Sequence, residues 1–101
     1  MVIRFEWDEA KSRSNRRKHG LSFEDAALVF RDPFRVSSLE RIVEGEERWQ
    51  TFGKVTAFLL VMVAHTVHDE PDSGEFVEIV RIISAREATS HERRLYEEGS
   101  R

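Results

Sequence analysis

Residues Phe5–Pro33 read FEWDEAKSRSNRRKHGLSFEDAALVFRDP, and the order of signals in this stretch decides the fold. Val2 to Trp7 alternates, with Val2, Arg4 and Glu6 against Ile3, Phe5 and Trp7, as a half-buried strand does. Asp8 is an N-cap candidate and Gly20 a C′ candidate, which together predict a helix of about 11 residues. That helix has little apolar face: Ala10, small Ser12 and Ser14, and then charge. It is either a thinly packed surface helix or a binding surface. Its basic residues also suit the negative end of the helix dipole, so part of their clustering has a structural cause.

Downstream, Ser22 with Asp25 three residues later reads as a variant capping box, and Leu21 can staple onto Ala26. Phe23, Ala26, Ala27 and Phe30 recur at helical spacing and form the core stripe of a second helix, which Pro33 stops. Phe34 to Leu39 and Arg48 to Phe52 are strand candidates on either side of an acidic turn containing Gly45. Ala57 to Thr66 is almost continuously apolar, as expected for a central strand buried on both faces. Asp69 to Gly74, with Pro71, reads as a polar turn before a last strand over Phe76 to Ser84. Ser84 and Glu87 form a capping box for a final helix ending near Gly99. The order β-α-α-β-β-β-β-α predicts an α+β fold in one domain over residues 1–101, with helices packed on an antiparallel sheet.

Composition narrows the function. A chain of 101 residues with 40% hydrophobic content supports one modest core. With no cysteine, disulfides, thiolate zinc ligands and a thiol nucleophile are excluded. There is no apolar signal region at the start and no run near the roughly 20 apolar residues of a membrane span, so a cytoplasmic location is expected. Net charge is −3, but Arg4, Lys11, Arg13, Arg16, Arg17 and Lys18 concentrate near the N-terminus. The acids lie mostly in Glu40–Glu47 and Asp69–Glu78. Screening confines these fields to roughly 8 Å at physiological salt, so a basic face can attract phosphate despite the negative sum. A merely solvated, charged surface is the other reading.

The block FEWDEAKSRSNRRKHGLSFEDAALVFRDP, together with Arg81-Ile-Ile-Ser-Ala-Arg86 followed by Glu92 and Tyr96, resembles the BrnT family. That family is the toxin half of bacterial type II toxin–antitoxin pairs, with a RelE-like fold. The resemblance implies ribosome-independent cleavage of mRNA, growth arrest, and neutralisation by a cognate antitoxin with a ribbon-helix-helix DNA-binding domain. The complex would repress its own operon, so operator DNA is reached only through the antitoxin.

RNA can be cut without a metal because its 2′-hydroxyl attacks the adjacent phosphorus. The protein then supplies a base, an acid for the leaving oxygen, and cations for the charge at phosphorus. No cofactor is expected. His65 closes the apolar strand, which places it at the sheet rim with a partly desolvated ring able to move protons near neutrality. A histidine merely hydrogen-bonded at a strand end is the alternative, and the resemblance to the family's His-Thr pair favours function. Arg81 interrupts an apolar strand, so it needs a carboxylate such as Glu78 or Glu92, a rim, or a ligand phosphate. Arg86 falls near the second position of the last helix, where the dipole disfavours a cation unless an anion belongs there. The resemblance puts both arginines at the active face.

Arg17, Lys18 and His19 precede Gly20 as candidate RNA contacts, although a helix C-terminus also favours cations there. Tyr96 either packs or extends its hydroxyl to the cleft. Trp7 and Trp49 are candidates for stacking on bases or for core packing. His65 and His68 lack the partners a metal would need. Residues 68–74 form a longer and more acidic loop than the family pattern leads one to expect, which would repel RNA if it lies beside the site. Two further readings are a non-catalytic module that only binds the antitoxin or operator complex, and direct DNA binding, which lacks a recognition helix.

Overall fold

The structure, a computed structural model, describes residues 2–99. Strand β1 (Val2–Glu6) turns Ile3 and Phe5 inward. Helix α1 (Glu9–His19) is capped by the Asp8 carboxylate, which accepts from the Lys11 N–H at 3.1 Å. It ends at Gly20, whose φ of 75° allows its N–H to reach the Arg16 carbonyl. Ser22 caps α2 (Phe23–Ala26), which tightens after one turn into a 3-10 helix over Ala27–Arg31. A 3-10 helix repeats every three residues. Phe23, Ala26 and Val29 therefore align and are fully buried, whereas Ala27 and Phe30, expected on the α-helical stripe, are half-buried.

Four more strands follow: β2 (Val36–Val43), β3 (Glu46–Lys54), β4 (Leu60–Asp72) and β5 (Glu75–Glu87). Two-residue turns at Glu44-Gly45 and Ser73-Gly74, all with positive φ, join the β2–β3 and β4–β5 hairpins. The spatial order is β1-β5-β4-β3-β2, with β1 parallel to β5 and every other pair antiparallel. The sheet is thus mixed, which corrects the antiparallel expectation. Alternation identifies a strand but not the direction of its partner.

Boundaries also move: β2 and β3 run on into the acidic segment, which closes to the two-residue turn at Glu44-Gly45. Ala57–Leu59 is a loop, held by the Thr56 hydroxyl accepting from the Phe58 and Leu59 N–H groups, and Phe58 is 90% exposed. The segment expected as a turn from Asp69 instead continues β4 into a projecting hairpin, with His68 opposite Ile79. The final helix α3 (Ser90–Gly99) starts later than expected. Ser84 and Ala85 are paired in the sheet with Ala64 and Val63, and the capping box is Thr89 with Glu92.

One sheet face carries α1, α2 and the 3-10 helix over a core that includes Phe23, Val29, Val61, Val63, Val80 and Ile82. Gly53 lets the 3-10 helix press on β3, since a Cβ there would lie 2.9 Å from the Val29 carbonyl oxygen. The opposite face holds α3 only at one end, over Phe52, Leu60 and Met62. Helix α1, read from sequence as a thinly packed surface helix or a binding surface, docks through buried polar side chains. The Asn15 amide donates to the Leu21 and Ala85 carbonyls at 2.8 and 2.9 Å and accepts from the Ala85 N–H at 3.2 Å. Pairing between β1 and β5 stops at Glu6 and Arg81, so Asn15 satisfies the β5 backbone beyond β1. Ser12 Oγ accepts from the Phe23 N–H at 2.9 Å.

Candidate functional site

Strand alternation sends Val80, Ile82 and Ala85 into the helix-covered core and Arg81, Ser84 and Arg86 to the open face. Two β-bulges interrupt the sheet. Ala64 pairs with Ser84 and His65 with Ile82, leaving Ile83 extra; Leu39 pairs with Trp49 and Arg41 with Arg48, leaving Glu40 extra. Bulges re-aim side chains, and they gather near active sites. Both bulge residues border one polar depression of about 290 Å³ on the open face, with Arg41, Arg48, Gln50, Ser84 and Arg86.

A second depression, about 210 Å³, is lined from α1 by Lys11, Ser14, Lys18 and His19. Its other wall is again Ile83 and Ser84. The basic end of α1 and the arginines of the open face therefore meet across the β5 bulge. Arg17 is exposed on α1 outside both depressions. Trp7 packs edge-on against Phe23 at 6.5 Å and donates its indole N–H to Glu9, which favours its packing reading.

Arg86 lies in β5, not in the last helix, so the dipole argument for an anion beside it falls away. Its guanidinium grips the Glu92 carboxylate at 2.7 and 2.9 Å. Glu92 also accepts from the Thr89 N–H at 2.9 Å, so Arg86 braces the cap of α3. The bonds from Arg86 hold the Glu92 carboxyl at about 2, and Arg86 is in turn shifted upward by that bond. Arg81 is exposed on the same face, opposite Thr66, and forms no ion pair among the described residues. The expected carboxylates, Glu78 and Glu92, form no ion pair with it.

Tyr96 sits at the other end of this face. Burial, then its 2.5 Å bond to Asp32, push the phenol up to about 12. Asp32 also accepts from the Lys54 and Phe34 N–H groups, both at 2.8 Å. Burial opposes its charge, but these bonds keep its carboxyl below the ordinary value. The Tyr96 hydroxyl is thus spent on a structural anchor.

His65 is 2% exposed and lies within β4, since the strand continues beyond the apolar run. The rim location expected for it is corrected accordingly. Its ring packs against Phe30 at 5.0 Å. Nδ1 faces the Thr66 carbonyl at 3.3 Å, which can only accept, so Nδ1 carries the proton. Nε2 then accepts from the Thr51 hydroxyl at 2.6 Å, and Thr51 meets Ser37 at 2.7 Å. Burial lowers the His65 pKa. On the helix-covered side, His65 also borders a pocket of about 360 Å³ lined by Phe30, Trp49 and Val67 and by the charged Arg35, Glu47 and Glu78. Trp49 lines that pocket and not the polar depressions. Among the described residues, no group of three His, Cys, Asp or Glu side chains is arranged to hold a metal.

Two outcomes follow from these contacts. Arg86→Ala should lower stability by about 1–2 kcal/mol in urea unfolding, through loss of a charged hydrogen-bond pair and a braced cap. Glu92 has a depressed folded pKa, so its contribution is present above pH 4.5 and lost as pH falls toward 2; this loss should shrink in the variant. His65 resists protonation when folded, so stability should be full above about pH 6.5 and fall below it, by up to about 1.4 kcal/mol per pH unit. His65→Gln should flatten the melting temperature between pH 6.5 and 5; an unchanged slope would remove His65 as the cause.

The comparisons agree with this architecture. None of the curated proteins matches the chain in sequence. The fold is similar to the crystal structure of the Brucella abortus ribonuclease toxin, BrnT, with a TM-score of 0.55 and 22% identity over 89% of this chain and 100% of that one. The family described as ribonuclease toxin, BrnT, of type II toxin-antitoxin system matches residues 7–92. The chain belongs to that family of ribonuclease toxins.

Proposed function

We propose that this toxin is a metal-independent endoribonuclease that lays single-stranded mRNA across the β5 bulge, from the basic end of α1 onto the open sheet face. The observation that carries this reading is the shared wall of Ile83 and Ser84, which makes Lys18, His19, Arg86 and the neighbouring arginines border one continuous path. A strand of phosphates needs cations along its track, and residues from two elements supply them.

In this reading the RNA 2′-hydroxyl attacks the adjacent phosphorus, the 5′-oxygen leaves with a proton, and a 2′,3′-cyclic phosphate remains. Arg81 has its guanidinium free to meet the charge that develops at phosphorus. Arg86, already held by Glu92, is fixed in orientation and offers its remaining donor surface. Two imidazoles border the path, His19 and His65; both ring nitrogens of His65 are engaged, so we assign proton transfer to His19. His65, with both ring nitrogens engaged beneath Phe30, shapes the sheet at the bulge instead. The partner is read as a ribbon-helix-helix antitoxin that carries the pair to operator DNA in the cytoplasm, in keeping with a RelE-like toxin. Exposed Phe58, Phe76 and Ile42 give such a partner apolar surface to cover.

A second reading keeps the fold and loses the chemistry, leaving a module that only binds the antitoxin. The engagement of Arg86 by Glu92 favours it. Growth arrest on expression without the antitoxin separates the two. Purified protein should cleave RNA in excess EDTA and leave cyclic or 3′-phosphate ends, and Arg81→Ala should cut the rate on the order of 10²-fold. Activity lost to EDTA and restored by magnesium would contradict the mechanism.

A further inference from the structure

We propose that Arg41 and Arg48 form a fork for a phosphodiester of the RNA, beside the one that is cut. This rests on the reading that RNA crosses the open face. The two arginines are direct cross-strand partners on β2 and β3. Like charges set directly opposite destabilise a sheet, and the register shows what was given up to bring them together. Val36 to Leu39 pair regularly with Phe52 to Trp49, and continuing that register would set Glu40 opposite Arg48 and Arg41 opposite Glu47. Both would be complementary pairs. The bulge at Glu40 reconciles the hairpin with its two-residue turn and puts two cations face to face instead.

Neither cation is well neutralised. Arg41 has no ion pair among the described residues. Arg48 has Glu46, but at 3.5 Å to Nε and with the glutamate 58% exposed, and that Nε is buried without a hydrogen-bond partner. Glu40 borders the same depression, so the site is not purely cationic. Gln50 and Ser84 add neutral donors there, while Arg86 is already bound to Glu92. A phosphate seated between Arg41 and Arg48 removes their repulsion and meets the forked donors of two guanidiniums, a geometry that suits a phosphodiester.

The test is the salt dependence of binding to a 2′-O-methyl oligoribonucleotide, which cannot be cleaved. Each phosphate contact contributes about 0.7 to the slope of log K against log salt for single strands. Arg41→Gln and Arg48→Gln should each reduce the slope by up to about that amount, since the two share one phosphate, and Arg41→Lys, which keeps the charge, should retain it. If the wild type binds and both glutamine variants keep its slope, the fork is overturned while the ribonuclease reading stands. Loss of slope in Arg41→Lys as well would mark a misformed hairpin and also overturn the fork. A wild type that cleaves RNA but binds the oligomer without salt dependence would remove RNA from this face altogether.

Discussion

The Asp32 carboxylate ties the end of the 3-10 helix, the turn before β2, the end of β3 and helix α3 to one point. The 3-10 helix lies on one face of the sheet and α3 on the other, so this group links the two layers around the sheet's end. A small domain has little core to spend on such a link, since it hides only about 60–70% of its unfolded surface. A charge-assisted anchor does the work with few atoms. By fixing α3 at one end, it leaves the rest of that face uncovered, and the candidate site occupies the uncovered part.

The same polar economy recurs in α1. Asn15 and Ser12 hold the helix with hydrogen bonds to backbone groups that would otherwise be buried and unpaired. The outward residues of α1 are thereby free to be basic, and its C-terminal turn opens toward the β5 bulge. A chain with net charge −3 can present a local cationic path because the acids of the projecting β4–β5 hairpin are carried along a separate arm.

Much of this was legible in the sequence because local signals set it: the Asp8 and Ser22 caps, Gly20 at the end of α1, and the apolar run of β4. Non-local features were not. The parallel pairing of β1 depends on chain crossover, and Val29 is buried because the second helix tightens, which its apolar spacing does not announce. Arg86 was misread because Ser84-x-x-Glu87 has capping-box form while its backbone pairs in the sheet; Thr89-x-x-Glu92 carries the same form five residues on. Asn15 and Ser12, three apart, carried a signal of polar docking that went unread. Arg48 and Gln50 could have been grouped by strand alternation, but the face that Arg41 takes depends on the bulge. The apolar flanks of His65 led outward to a rim when the strand in fact continues.

The central claim is that RNA lies on the open sheet face, not in the pocket lined by Phe30 and Trp49 on the helix-covered side. Backbone amide shifts of the folded protein on adding an uncleavable single-stranded RNA test this directly. The account predicts changes concentrated at Gln50, Ser84, Arg86 and Lys18. Changes confined to Phe30, Trp49 and Val67, with those residues silent, would contradict it.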